Sequence, residues 1–397
     1  MHYARKAVIA SVVGYALDGF DLLILGFIMA DISKDLGLTS IQGGSIVTWT
    51  LAGAVAGGVL FGWLADKFGR VRVLNWTILL FAVFTGLCAL AQGYKDLLVY
   101  RTIAGLGLGG EFGIGMALAA EACRPEERAR MTSYVGLGWQ AGVLAAALVT
   151  PALLPLIGWR GIFLVGVLPA LAAFFVRYFI EEPKLFRDNR QSGMAGGNAF
   201  KLLVADGPTT RASLGVIILT SVQNFGYYGV MIWMPVYLSN RFGYTLTRSA
   251  AWTAVTVIGM AFGVWLFGQL ADRVGRRPVF LAYQACAAVS VLVYSQLQSQ
   301  YALLIGGAVM GMFVNGMIGG YGTLIAELYP TRARATAQNV LFNIGRAVGG
   351  FGPLAVGALA TRYSFSVAIA LLAVLYVVDI LATLFLIPER KKGMVLA

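Results

Sequence analysis

Four ionisable residues stand where an apolar helix would cross hydrocarbon. In GYALDGFDLLILGF, residues 14–27, Asp18 and Asp21 sit three apart on neighbouring parts of one helical face. Glu111 follows the glycine-rich run GLGLGG, and Arg346 lies among Gly345, Gly349 and Gly350. Carboxyl groups in a partly dehydrated cavity exchange protons, and two this close titrate together. A guanidinium grips a planar carboxylate with two prongs and stays charged at any relevant pH. The single histidine is His2, so no apolar run holds one and carboxylates are the side chains suited to proton coupling. The chemistry on offer is proton binding beside anion capture.

Each residue also admits a quieter role. Asp21 pairs with backbone or with Arg101 in the alternative. Arg346 pairs with Asp379 or caps a helix kink, and Glu111 is either a second proton carrier or the partner of a buried arginine. Asp379 itself reads as structural. Gln140 aligns with Arg346 in the first half of the chain. Around the arginine, Gln223, Asn224, Tyr227, Tyr228, Asn315, Tyr321, Asn339 and Asn343 would bond or stack on a bound molecule, or join helices to one another.

The elements that position these groups are membrane helices. Apolar residues make up 59% of the 397 and charged residues 12%, with a mean hydropathy of +0.78, far from a soluble domain. Apolar runs near 8–30, 44–65, 73–91, 97–120, 131–153, 159–180, 212–239, 248–271, 278–297, 301–326, 335–360 and 365–387 are each close to the ~20 residues that cross hydrocarbon. Twelve spans are predicted, an all-α membrane protein. Asp18 lies ten residues past Val8, ~15 Å into the first span, and Glu111 and Arg346 reach similar depths. Three acids and one base at matching depth point to a shared polar cavity. The first run has no small-residue cleavage site and reads as an anchor.

With both ends in the cytoplasm, 22 of the 30 Lys and Arg residues fall in cytoplasmic segments, among them Arg390, Lys391 and Lys392, and six fall outside. That bias sets both termini inside. The net charge of +12 is then topological, and nucleic acid is not expected as a partner. Cys88, Cys123 and Cys286 form no external disulfide framework and no metal-ligand spacing, so no metal or cofactor is implied. No nucleophile with a paired base and no phosphate loop is present, so an enzyme is not expected.

GWLADKFGRVR at 62–72 returns as GQLADRVGRRP at 268–278, an offset of 206. At the same offset Glu121 and Arg128 match Glu327 and Arg334. The chain is a duplicated six-helix unit: 1–183, a polar cytoplasmic linker at 184–211, and 212–397. Parallel repeats of this kind place a substrate site near mid-bilayer where they meet. Asp18 falls on Asn224 at this offset, so the first half is expected to carry the proton and the second to lean toward substrate.

Gly62, Asp66, Gly69 and Arg70, with Gly268, Asp272, Gly275 and Arg276, match the loop motif G-x-x-x-D-x-x-G-R of the major facilitator superfamily. Arg101, Gly105 and Gly109 match its fourth-helix pattern, and the resemblance covers nearly the whole chain. DGFD at 18–21, GLGLGGEFG at 105–113, GWRGIFLVGVLPAL at 158–171 and IEEP at 180–183 resemble the sialate:proton symporter branch. The segment from Asn315 to Arg346, with ELYPTRARAT and FNIGR, resembles the aromatic acid:proton symporter branch. The resemblance implies two pseudo-symmetric six-helix bundles, and aspartates of DGFD associated with transport. The loop residues, with Arg101, read as a conformational latch or as plain topogenic charge.

The reading that follows is proton-driven uptake of a small organic anion, an aromatic acid, sialate or other monocarboxylate, by alternating access in a bacterial inner membrane. Its partners are the anion, protons and the bilayer, and it works as a monomer. Proton-driven efflux of drugs or metabolites is the alternative, since the many aromatics and methionines would also suit a permissive lining.

Overall fold

The computed structural model describes residues 2–178, 180–191, 199–243 and 246–389. The basic residues Arg390, Lys391 and Lys392, and 192–198 of the expected linker, lie outside those residues. Helices account for nearly all of the described chain, and no strand occurs among the described residues. They group into two compact units. The first comprises Met1–Arg124, Val135–Leu202 and Tyr329–Asn343, and the second Pro125–Tyr134, Leu203–Leu328 and Ile344–Ala397.

In chain order the helices associated with the first half are α1 (His2–Asp35), α2 (Ser40–Phe68), α3 (Arg70–Cys88), α4 (Tyr94–Gly109), α5 (Glu111–Ala122) and α6 (Arg128–Tyr178), followed by the short α7 (Lys184–Gln191) and α8 (Ala199–Leu202). Those of the second half are α9 (Gly207–Phe242), α10 (Leu246–Val274), α11 (Arg276–Gln296), α12 (Gln300–Val314), α13 (Ile318–Leu328), α14 (Arg334–Gly349), α15 (Gly352–Arg362) and α16 (Phe365–Leu386). Among the described residues, eleven helical stretches are long and apolar enough to cross a membrane. One of them runs through Gly158, whose φ of 66° folds α6 into two crossings, which makes twelve.

Local signals explain where these helices start. Thr39 and Gln42 form a capping box at the head of α2, the Gln42 amide donating to Thr39 Oγ1 at 3.2 Å and the Thr39 amide to Gln42 Oε1 at 2.9 Å. Ser364 caps α16 by accepting the Val367 amide at 3.2 Å. Asp206 caps α9 through the Thr209 amide at 2.7 Å, and that bond holds its carboxyl below the usual carboxylate range.

Lipid is as apolar as the outward Leu and Val side chains, so close packing rather than hydrophobic exclusion holds neighbouring crossings together. In the first unit Gly53 and Gly57 of α2 lie on the backbone of Thr102 and Leu106 in α4, and Gly105 and Gly109 of α4 lie on Thr50 and Ala54 of α2. In the second unit Gly259 and Gly263 of α10 lie in the same way on Ala308 and Met312 of α12. A Cβ at any of them would overlap partner backbone. These two glycine pairs also obey the offset of 206, so the duplication extends to the helix crossings.

Candidate functional site

Three of the crossings are interrupted, and three candidate residues sit at the interruptions. α4 ends at Gly109 and α5 begins at Glu111, which puts this carboxyl in the first turn of a helix. Asn315 closes α12, its amide donating to Gly311 O at 3.0 Å before α13 begins. Arg346 lies in the last turn of α14, ahead of the break at Gly350 and Phe351. Helix N-termini favour anions and C-termini favour cations, so the breaks lower the cost of Glu111 and Arg346 at such depth. The sequence reading placed these charges at depth without foreseeing the helix ends that accommodate them.

In the first unit, Asp18, Asp21 and Arg101 are almost wholly buried and Glu111 is 3% exposed. Arg101 donates from both Nη atoms to Asp21, at 2.9 Å to Oδ1 and 2.5 Å to Oδ2, a bidentate pair inside the crossing. The pairing weighed as an alternative for Asp21 is thus present, and it takes Arg101 away from the loop motif grouped with it. Glu111 shares a contact that the sequence did not reveal: its Oε1 lies 2.8 Å from Thr77 Oγ1, which also lies 2.9 Å from the carbonyl of Leu74. Asp18 lies next to a close crossing of α1 and α6, with Gly19 against Trp139 O and Gly142 against Ala16 O. One turn before it, Tyr15 packs on Phe112 and Trp139, and Phe112 stacks on Phe342 at 3.7 Å.

Three amides complete this unit. Gln140 is buried, and neither its oxygen nor its nitrogen meets a protein partner. Asn339 and Asn343 donate to Ala335 O and Asn339 O respectively, and each leaves its side-chain oxygen unpartnered. They press against Gly113 and Gly58, where a Cβ would have to displace the amide side chains.

In the second unit, Arg346 is 5% exposed and its Nε lies 3.3 Å from the Tyr228 hydroxyl. Tyr228 meets Tyr227 edge-on at 5.2 Å. Gln223 donates to Asn315 at 2.7 Å, and Gln223 Oε1 and Asn315 Nδ2 are left without protein partners. Asn224 turns back to Thr220 O on its own helix, whereas Tyr321 donates to Leu219 O and so ties α13 to α9. Asp379, the alternative partner for Arg346, takes its hydrogen bond from Gln284 instead.

The loop motif forms two copies of one device. In the first unit the Asp66 carboxylate accepts the amides of Ala335 and Thr336 at 3.2 and 2.7 Å and the Thr336 hydroxyl at 2.7 Å, capping the start of α14. Gly62 lets α2 approach Asn339 and Ala335, and Gly69 turns the chain with a φ of 117°. Arg70 pairs with Asp66 at 2.9 Å and with Glu121 at 3.0 Å, and donates to Thr331 O at 2.6 Å. In the second unit Asp272 accepts the amides of Ala129 and Arg130 at 3.1 and 2.9 Å, capping α6, while Arg276 pairs with Glu327 at 2.8 Å and Gly275 turns with a φ of 112°. Capped residues and capping aspartates both obey the offset of 206.

Sequence reasoning missed Thr77, Thr336 and Glu182, which accepts the amides of Arg70 and Arg72 at 2.7 and 2.9 Å. The repeated Glu121 and Glu327 were a usable signal, since acids duplicated with the arginines are their natural partners.

A family model described as Major Facilitator Superfamily matches residues 12–273 and 247–396. The chain is 65% identical over 395 residues to a candidate metabolite transport protein of Haemophilus influenzae, covering 98% of this chain and 97% of that one. It is 29% identical over 399 residues to the cis,cis-muconate transport protein of Acinetobacter baylyi, covering 98% and 96%. Its structure is similar to that of the proton:xylose symporter XylE bound to 6-bromo-6-deoxy-D-glucose, with a TM-score of 0.83 and coverage of 98% and 97%. At 18% identity that likeness is one of fold.

Proposed function

From the premise that this chain belongs to the major facilitator superfamily, we propose that it takes up a small organic acid anion together with protons. That it is a multi-pass membrane transporter of metabolites, and not an enzyme, follows from the family and its relatives. The finer reading assigns the proton to Asp18 and Glu111, the carboxylate of the substrate to Arg346, and polar contacts to Gln223 and Asn315. Access alternates between the two sides, and both termini lie in the cytoplasm of a bacterial inner membrane.

The observation that carries this reading is Arg346, a buried guanidinium at a helix end beside a tyrosine hydroxyl, in a unit that also holds a pair of incompletely bonded amides. A planar carboxylate matches its two-pronged geometry, and the free amide atoms supply further donors and acceptors. Proton accounting at Glu111 supports the coupling. The Thr77 hydroxyl owns one proton and faces two acceptors when Glu111 is ionised; when Glu111 is protonated, Glu111 donates to Thr77 and Thr77 to Leu74 O. Only the protonated form gives both acceptors a donor within this chain of contacts. Asp21, held by Arg101, serves as a fixed strut in this scheme. The muconate transport activity of a relative fits an organic acid.

Uptake of labelled organic acids into proteoliposomes, with and without an inward proton gradient, tests the proposal. Accumulation that requires the gradient and disappears in Arg346→Ala is expected. Accumulation indifferent to the gradient, or an Arg346→Ala protein with wild-type affinity, would overturn it.

A further inference from the structure

A carboxyl that has no part in the scheme above is buried without a cation. Asp379 of α16 is fully buried, and its Oδ2 accepts from Gln284 Nε2 of α11 at 3.1 Å. The same Nε2 donates to Thr383 Oγ1 at 2.7 Å. Asp379 Oδ1, Gln284 Oε1 and the Tyr376 hydroxyl are buried and lack protein partners.

The titratable groups within electrostatic reach are Tyr376 on α16 and Tyr321 on α13. Arg277 of α11 is occupied by the carbonyls of Thr383 and Leu384 and by Glu389. Tyr283 of α11 donates to Gly263 O, and Arg211 of α9 and Arg362 of α15 are exposed. Among the described residues, no ion pair involves Asp379. A carboxylate desolvated in this way and left without a cation neutralises rather than persisting as an ion. A proton on it also supplies a donor to a cluster in which Gln284 Oε1 can only accept. The fold does not demand the group, because the positions related by the repeat to Gln284 and Asp379 are Ile78 and Ala173.

We propose that Asp379, with Gln284 and Tyr376, is a proton-binding site of the second unit, separate from the substrate site. Its carboxyl holds a proton while α11 and α16 are packed together, and loss of that proton loosens their contact. Since the group is neutral in the folded state and ionised in the unfolded chain, stability falls as pH rises above the ordinary carboxyl pKa of about 4, and levels off once the folded site gives up its proton.

Infrared spectra of the full-length protein in nanodiscs, without substrate, test this. The wild type should show a carboxylic-acid C=O band that Asp379→Asn removes and Gln284→Leu displaces. Between pH 5 and 9, and below the pH at which the folded site gives up its proton, the wild-type melting temperature should fall relative to that of Asp379→Asn by roughly 1–2 °C per pH unit. If Asp379→Asn does not fold, Gln284→Leu decides alone, and a displaced acid band supports the site. A band left unmoved by whichever variants fold shows the group to be ionised and overturns the proposal.

Discussion

Asp66 accepts both the amide and the hydroxyl of Thr336, each at 2.7 Å, whereas Asp272 accepts the amides of Ala129 and Arg130, at 3.1 and 2.9 Å, and no hydroxyl among the described residues. The two copies of the loop motif are therefore unequal. A hydrogen bond to a charged acceptor contributes about 1.5–3 kcal/mol, so the first copy holds its helix more tightly.

If these caps are the latch, Asp66→Asn should slow turnover about tenfold, with substrate affinity changed less than about twofold, and Asp272→Asn should slow it less. Thr336→Val should reproduce part of the Asp66→Asn effect. Uptake rates compared with binding by calorimetry separate the two quantities, and a lost affinity in well-folded Asp66→Asn would place the residue in the binding site instead.

Asp21→Ala or Arg101→Ala alone should destabilise the protein by about 3–5 kcal/mol, because each leaves an uncompensated buried charge. The double replacement Asp21→Leu/Arg101→Leu should recover much of that loss. Thermal unfolding of the three variants in one detergent checks this.

Asp18→Asn should abolish accumulation driven by a proton gradient while sparing exchange of labelled for unlabelled substrate, and Glu111→Gln should weaken the pH dependence of uptake. Counterflow and gradient-driven assays on the same proteoliposomes distinguish the steps. An Asp18→Asn protein that still accumulates substrate would remove this residue from proton coupling.

Gly57→Ala places a Cβ 2.6 Å from the carbonyl carbon of Leu106, and Gly263→Ala places one 2.7 Å from that of Met312. Backbone cannot give way as a flexible side chain does, so each should cost about 1–3 kcal/mol and lower the yield of monodisperse protein. Gly44→Ala, where nothing lies within 4 Å, is the matched control in size-exclusion chromatography.

Much of the architecture was legible in the chain because hydropathy is a local property. Twelve runs of suitable length, the offset of 206 and the loop motif required no knowledge of contacts, and the depth of Asp18, Glu111 and Arg346 followed from counting residues. The helix-crossing glycines at 53, 57, 259 and 263 emerged only from the packing, where each meets partner backbone.

Partners were the part that the chain by itself left open. Asp21 had several possible fates, and packing of α4 beside α1 selected Arg101, since a bidentate bond depends on two helices being brought to hydrogen-bonding distance. Glu111 found Thr77 for the same reason, 34 residues away in sequence. Asp66 reached Thr336 across 270 residues, a pairing that no helical period encodes. Sequence determines which groups must be buried in a membrane-spanning helix; only tertiary packing decides which donor or cation meets each of them, because those bonds join residues whose nearness is set by the crossing of helices and not by their order.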